Sequence, residues 1–366
     1  MTPRERILTV LDGKTPDRVP FAPFSELIPR SQAERELREG GMGFIQHYSS
    51  VRQHSATPYS IKYVGGETIT VYQTAHGEVS TAYQYVPGAS NDGMVQTGFL
   101  IKEEGDYQRV IKYLDGLDFT VDHSEDSLVK HYLGDEGVTH AWSDEPPYMA
   151  AQYYLGLEKW SYDQYDFPEL FAELLEALER VQEKRMACLE ESEEDMINLG
   201  NLAGNFSPTA FKTYMVPYFA KNARRLHRVG KKVTVHADAS NLSGFRDLIL
   251  PCEVDIVEAF TPPPVGDLSL ADARKAWGDD VTILINFPET VFYDGFEATK
   301  NFTRKLIESD PCPNKIISLT EMGFVGANSD NVHRIEAGVA AILAAVNEMG
   351  DLYGYIRVST REQNED

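Results

Sequence analysis

The sequence predicts an α/β fold: a (β/α)8 TIM barrel with an N-terminal extension containing a β-hairpin. Three observations lead there. From about residue 138, short β-branched runs recur: "VTHAW", "DMINLG", "VTVHAD", "VDIVEAF", "VTILINF" and "KIISLTE". Helical stretches such as 168–190 and 208–229 lie between most of them, and strand alternating with helix gives parallel βα units. The chain has 366 residues, room for a barrel of about 250 residues plus insertions. No Gly-rich phosphate fingerprint follows the first strand, which argues against a doubly wound open sheet.

Each element follows in order. Residues 1–16 read as a capped helix, with Thr2 before Pro3, then Ile7, Leu8 and Leu11, and Gly13 behind. "DRVPF" is a short strand, the first of the barrel. "ETITVYQTAHGEVSTAYQY" alternates and turns at His76-Gly77, which predicts a hairpin near residues 67–86. Residues 104–115 form a small helix. The six later runs and "DRVPF" leave one barrel strand unrecognised. The expected organisation is a single barrel domain over 1–366. Residues 1–125 hold the first strand and the extension, 126–355 the remaining barrel, and 356–366 a tail.

Composition narrows the function. The chain is 42% hydrophobic, enough for a sizeable core, and no stretch approaches the length of a membrane span. Its start carries charges throughout and no apolar h-region, so no secretory signal is expected. The three cysteines, Cys188, Cys252 and Cys312, are odd in number and far apart, which suits reduced thiols and a cytoplasmic location. A formal charge of −23 disfavours nucleic acid or an anionic membrane as partner, because phosphates need Lys and Arg. It leaves solubility alone, or a basic protein partner.

Barrel chemistry sits where the strands end at their C-terminal face. The strand ends here read Asn198 then Asn201, His236 with Asp238, Glu258, Asn286, and Glu321. Side chains two apart on a strand share a face, so His236 and Asp238 converge. An imidazole with two or three carboxylates in one mouth suits a divalent metal, zinc in particular. The same residues also serve simply to cap strands and bind one another. "EPPYMAAQYYLGLEKWSYDQY" adds Tyr148, Tyr153, Tyr154, Trp160, Tyr162 and Tyr165. Such a cluster clasps a flat aromatic ring, cages a quaternary ammonium, or packs a core. "TPPPVGD" is a rigid rim loop, His227 a surface or packing residue, and His47, His54 and His76 show no partner.

The chain resembles the uroporphyrinogen decarboxylase superfamily over nearly its full length. The stretches that carry the resemblance are "RERILTVLDGKTPDRVPF", "SPTAFKTYMVPYFAKNARRLHRVGKKVTVHAD", "VDIVEAFTPPPVGDLSLADARKAWG" and "KIISLTE". The second is the most specific, with its Ser-Pro, aromatic, Pro-Tyr, Gly-Lys and strand-His order. The decarboxylase branch carries an Arg-rich signature after the first strand. Here "VPFAPFSELIPRSQ" holds only Arg30, so a porphyrinogen substrate fits poorly. The corrinoid-dependent methyltransferase branch holds zinc with a strand-end His-x-Cys and a later Cys, to activate a thiol. This sequence keeps His236, has Asp238 at the first Cys position, and has Glu321 where the second would be. Cys252 and Cys312 lie elsewhere.

Replacing two thiolates by carboxylates makes a harder site, suited to an oxygen-bearing substrate with the metal as Lewis acid. The resemblance therefore implies an O-demethylase component. It would demethylate a small methyl donor, a methoxylated aromatic, and pass the methyl to cobalamin carried by a separate corrinoid protein. The expected ligands to zinc or another divalent metal are His236, Asp238 and Glu321. Glu258 is a fourth ligand or a general acid, and Asp238 is catalytic as well as a ligand. Asn198, Asn201, Asn286, Tyr148 and Tyr153 are the expected substrate contacts. Alternatives are a quaternary-amine methyltransferase, a metal-independent decarboxylase-like lyase in which these groups bind substrate directly, and a ligand-binding barrel without turnover.

Overall fold

A computed structural model describes residues 1–87, 93–202, 207–237, 241–320 and 329–362. The chain forms two compact units. One comprises Met1–Ser49, His123–Trp142 and Glu193–Asp366, the other Ser50–Asp122 and Ser143–Ser192. Thirteen strands lie among the described residues. They are β1 (Phe44–His47), β2 (Val51–Ser55), β3 (Tyr59–Val64), β4 (Glu67–Thr74), β5 (Gly77–Tyr85), β6 (Met94–Gly98), β7 (Leu117–Val121), β8 (Gly137–Trp142), β9 (Met196–Asn201), β10 (Lys232–His236), β11 (Ile256–Phe260), β12 (Thr282–Asn286) and β13 (Lys315–Ser318).

In the first unit, seven parallel strands run in the order β1-β8-β9-β10-β11-β12-β13. Their residues are buried almost without a break, as expected of a parallel sheet covered on both faces. The sheet curls until one extended segment, residues 20–24, bonds to both edges. Ala22 and Phe24 donate backbone N–H groups to Ile317 and Leu319, each at 2.9 Å, on the β13 side. On the β1 side, Gly43 donates to Phe21 at 2.9 Å and Ile45 to Pro23 at 3.0 Å. Both edges thereby find partners for groups that would otherwise stand open.

The helix Pro3–Leu11 closes the end where the strands begin. Thr2 caps it reciprocally with Glu5, and Pro3 opens it. Its inner face, Ile7, Val10 and Leu11, joins Ile45, Val138, Met196, Ile256, Leu284 and Ile316 in one buried cluster. Burying each of these three side chains stabilises by about 1.5–3 kcal/mol. Apolar residues thus fill the N-terminal end of the sheet and leave the polar strand ends at the other. Arg6 is the buried exception, and its guanidinium takes both oxygens of Asp17 at 2.6 and 2.9 Å.

The second unit is antiparallel where it is sheet. β2 pairs with β7, and β3-β4-β5-β6 form a meander. The helix Asp106–Asp115 packs on β4 and β5, and on the long helix Pro168–Glu191. Tyr107 donates its buried hydroxyl to Asp163 at 2.6 Å, tying that helix to Leu157–Asp166.

Most sequence-derived elements lie within a few residues of their observed positions, and three differ. The hairpin turns at Ala75-His76, since Thr74 pairs with Gly77. "DRVPF" forms only the start of the extended segment 20–24, and the ordinary strand that follows is β1, which the sequence reading lacks. Its four residues, Phe44–His47, give too short a run to stand out. The stretch 208–229 is not one regular α-helix: Phe211–Met215 widen into a π-turn just before Pro217. Proline has no N–H to continue the ladder, which accounts for the widening.

Candidate functional site

At the C-terminal strand ends a single carboxylate gathers the polar side chains. Glu258 on β11 is fully buried. Its Oε1 lies 2.8 Å from His236 Nδ1, and its Oε2 lies 3.0 Å from His140 Nε2. Asn198 Nδ2 and Thr234 Oγ1 each donate to Oε2 at 3.2 Å. Four donors therefore surround one buried charge, which is how such a charge survives away from water. Burial alone pushes the Glu258 carboxyl up. The charge and hydrogen bonds of His140, with those of His236, outweigh it and hold the carboxyl well below the usual carboxylate range.

Backbone irregularities aim these groups. His236 and Glu258 are cross-strand partners on β10 and β11. The register between β11 and β12 shifts between Val257 and Phe260, and Ala259 within that bulge has φ of 56°. Bulges re-aim neighbouring side chains, and here the neighbour is Glu258. A second shift, between β9 and β10, lies beside Gly200, whose φ is 116°. Only glycine takes that conformation without strain. It lets the Gly200 N–H donate to Asn198 Oδ1 at 2.6 Å, which turns the Asn198 amide nitrogen towards Glu258.

His47 at the end of β1 is the cross-strand partner of His140 on β8. Its Nδ1 meets Glu26 Oε1 at 2.6 Å. Burial raises the Glu26 carboxyl, but the hydrogen bond and charge of His47 outweigh it and leave it below its ordinary range. Two imidazole nitrogens of this group, His47 Nε2 and His140 Nδ1, are buried without a hydrogen-bond partner among the described residues. His47, His140 and Glu258 each offer a ligand atom, all within 4.8 Å of one another. The set offers the donor atoms of a His/Glu metal site. Trp142 lies against all three imidazoles, with ring centroids 5.3 Å from His236, 6.3 Å from His47 and 6.4 Å from His140.

The structure brings His236, Glu258 and Asn198 together. Asn201 is the cross-strand partner of His236. Asn286 is engaged nearby in the strand-end framework: it donates to Thr261 Oγ1 and accepts from the Thr320 N–H, both at 3.0 Å. Asp238 and Glu321 lie outside the described residues. Tyr148 and Tyr153 belong to the second unit. Tyr148 is buried against Trp160 and Phe171, with its hydroxyl on Gln164 at 3.1 Å, whereas Tyr153 is exposed. His227 pairs with Asp255 at 2.8 Å near the surface.

Sequence reasoning missed His47 and His140. His54, also left without a partner there, meets Thr120 Oγ1 at 2.7 Å. For His140 a signal existed: an imidazole two residues before the end of an apolar strand shares its face with the strand's last residue. His47 had none, because its strand went unrecognised.

No model of a known protein family matches the chain, and no curated protein matches it. Solved structures do. A methyltransferase from Methanosarcina mazei matches with a TM-score of 0.58 at 14% identity, over 95% of this chain and 99% of that one. A B12-independent methionine synthase from Shewanella sp. W3-18-1, in complex with selenomethionine, matches with a TM-score of 0.48 at 8% identity. That match spans 91% of this chain and 97% of that one. At such identities the first likeness shows a shared fold.

Proposed function

We propose that this chain is a corrinoid-dependent methyltransferase. It demethylates a small methylated substrate, a methoxylated aromatic, and passes the methyl to cobalamin on a separate corrinoid protein. The observation that carries the reading is the buried Glu258 carboxylate with two imidazoles on its oxygens at the strand ends. The fold shared with the Methanosarcina methyltransferase and the sequence resemblance to the uroporphyrinogen decarboxylase superfamily support it. In this reading residues 20–24 are the eighth stave of a closed (β/α)8 barrel, and the corrinoid protein docks over its mouth.

The reaction moves a methyl cation equivalent. The bond between ether oxygen and methyl carbon breaks, and its electron pair stays on oxygen. The pair for the new bond comes from the reduced cobalt of the partner, and one proton converts the departing aryloxide to a phenol. Such a displacement needs the reacting atoms in line. It also needs acid at the ether oxygen.

The chain's own residues meet the second need. Glu258, held as a carboxylate, fixes His236 through Nδ1 and so sets the direction of the other ring nitrogen. An imidazole held this way passes a proton to the leaving oxygen, and Asn198, Asn201 and Asn286 set the polar frame. A divalent metal, when bound, would polarise the ether oxygen as a Lewis acid. The sequence assigns its ligands as His236, Asp238 and Glu321, and with His236 on the ion the Lewis acid would take the place of the proton donor.

The test supplies the purified protein with chemically reduced cobalamin and a panel of methoxylated aromatics and quaternary amines, following the corrin absorbance and the demethylated product. Methylated corrinoid and free phenol should appear together and depend on His236. Turnover of carboxylated substrates with release of carbon dioxide, and none with methyl donors, would replace this reading with the lyase.

A further inference from the structure

We propose that His47, His140 and Glu258 themselves bind one divalent transition-metal ion, zinc in the first instance. This set is distinct from the His236, Asp238 and Glu321 ligands that the sequence suggests. The proposal concerns metal binding alone and stands apart from the identity of the methyl donor.

Spacing comes first. Zinc holds imidazole nitrogen and carboxylate oxygen at about 2.0–2.2 Å, so tetrahedral donors lie about 3.3 Å apart. The three ligand atoms lie within 4.8 Å of one another, and His140 Nε2 stands 3.0 Å from Glu258 Oε2. A small contraction closes the set. All three residues sit on strands of one sheet, β1, β8 and β11, and rigid elements position ligands better than loops do.

The hydrogen bonds point the same way. His47 Nε2 is buried and without a hydrogen-bond partner among the described residues, an arrangement that buried polar groups rarely tolerate. His47 Nδ1 is held by Glu26 at 2.6 Å, which fixes the ring and directs Nε2 as the ligating atom. Carboxylates behind metal-bound histidines act in this way, orienting the ring and raising its basicity. On the far side of Glu258, His236 takes Oε1 and so turns Oε2 towards His140.

The surroundings suit a reactive site. Phe24 packs on His47 with ring centroids 4.0 Å apart, and Trp142 flanks both histidines. Two imidazoles and one carboxylate leave a fourth position open for a small oxygen ligand. The donor set suits zinc and also cobalt, whose visible spectrum reports the ligands.

The experiment uses the full chain, freed of metal with a chelator and titrated with zinc against a chromogenic competitor, then with cobalt. Wild type should bind one equivalent, and the cobalt form should show the intense visible bands of a low-coordinate site. His47→Ala should weaken binding by more than the roughly 10–100-fold that loss of a ligand's outer partner costs. Glu26→Gln should weaken it within that range. His47 is about a quarter exposed whereas His140 is buried, so His47→Ala is the variant that leaves the core packing in place. An Asp238→Ala, Glu321→Ala double variant should keep the metal. Loss of metal in that double variant with full binding in His47→Ala would overturn the assignment, as would no binding to wild type.

Discussion

His236 and Glu258 face each other across β10 and β11, Nδ1 to Oε1 at 2.8 Å, as direct cross-strand partners. Neither strand contributes a second charge of its own to that contact, and water does not reach the carboxylate. The pair is therefore held by the three further donors from β8, β9 and β10 that converge on Oε2. Removing the charge leaves these donors aimed at a neutral group.

Glu258→Gln should accordingly destabilise the protein. The amide keeps the shape but turns an acceptor into a donor against an inward-pointing N–H or O–H. A loss of about 2–4 kcal/mol is expected from a buried network broken at one member. Urea denaturation at neutral pH measures it, and an unchanged midpoint would mean that the network is not formed.

The bulge at Ala259 gives a second prediction. With φ of 56° in a buried strand, a β-branched residue is strongly disfavoured there. Ala259→Val should cost about 1–3 kcal/mol and disturb Glu258. Ala259→Gly should stay within about 1 kcal/mol of wild type, because relief of strain offsets the freer unfolded chain. Equal losses in both variants would show that the bulge plays no part.

Asp17 predicts a pH dependence. Burial raises its carboxyl, but the hydrogen bonds and charge of Arg6, helped by the amino terminus, lower it from 3.8 to about 2. The unfolded chain therefore binds more protons in that interval, and stability rises with pH across it. The contribution is present above about pH 4 and lost as the pH falls to about 2. The stability difference between wild type and Asp17→Asn, measured by denaturation, should shrink over that window. A constant difference would contradict the pairing.

Tyr148 separates packing from substrate contact. Its ring is buried on Trp160 and its hydroxyl bonds to Gln164. Tyr148→Phe should cost about 1 kcal/mol of stability and leave KM for the methyl donor unchanged. A raised KM at unchanged stability would return Tyr148 to the substrate site.

Much of this was legible in the sequence because it rests on local pattern. Thr2, Pro3 and Glu5 announce the first helix, and six β-branched runs announce six of the seven parallel strands. His236 and Glu258 were legible as strand ends. The rest depends on register, which local pattern does not encode. Whether His140 meets Glu258 is decided by how β8, β9, β10 and β11 pair and where they bulge. His47 stayed hidden because β1 is four residues long and half polar, so hydrogen bonding to its neighbours, not composition, makes it a strand.

The central claim is that a methyl group leaves an ether oxygen at the Glu258–His236 pair. The most direct measurement supplies a methoxylated aromatic with a 13C-labelled methyl and reduced cobalamin, and follows the label by NMR. Wild type should move the label to the corrinoid as the phenol forms. His236→Ala, shown to be folded, should lower that rate at least about a hundredfold, the lower end expected for losing a positioned acid. Label that remains on the ether with every donor tried, or that moves equally fast in His236→Ala, would contradict the account.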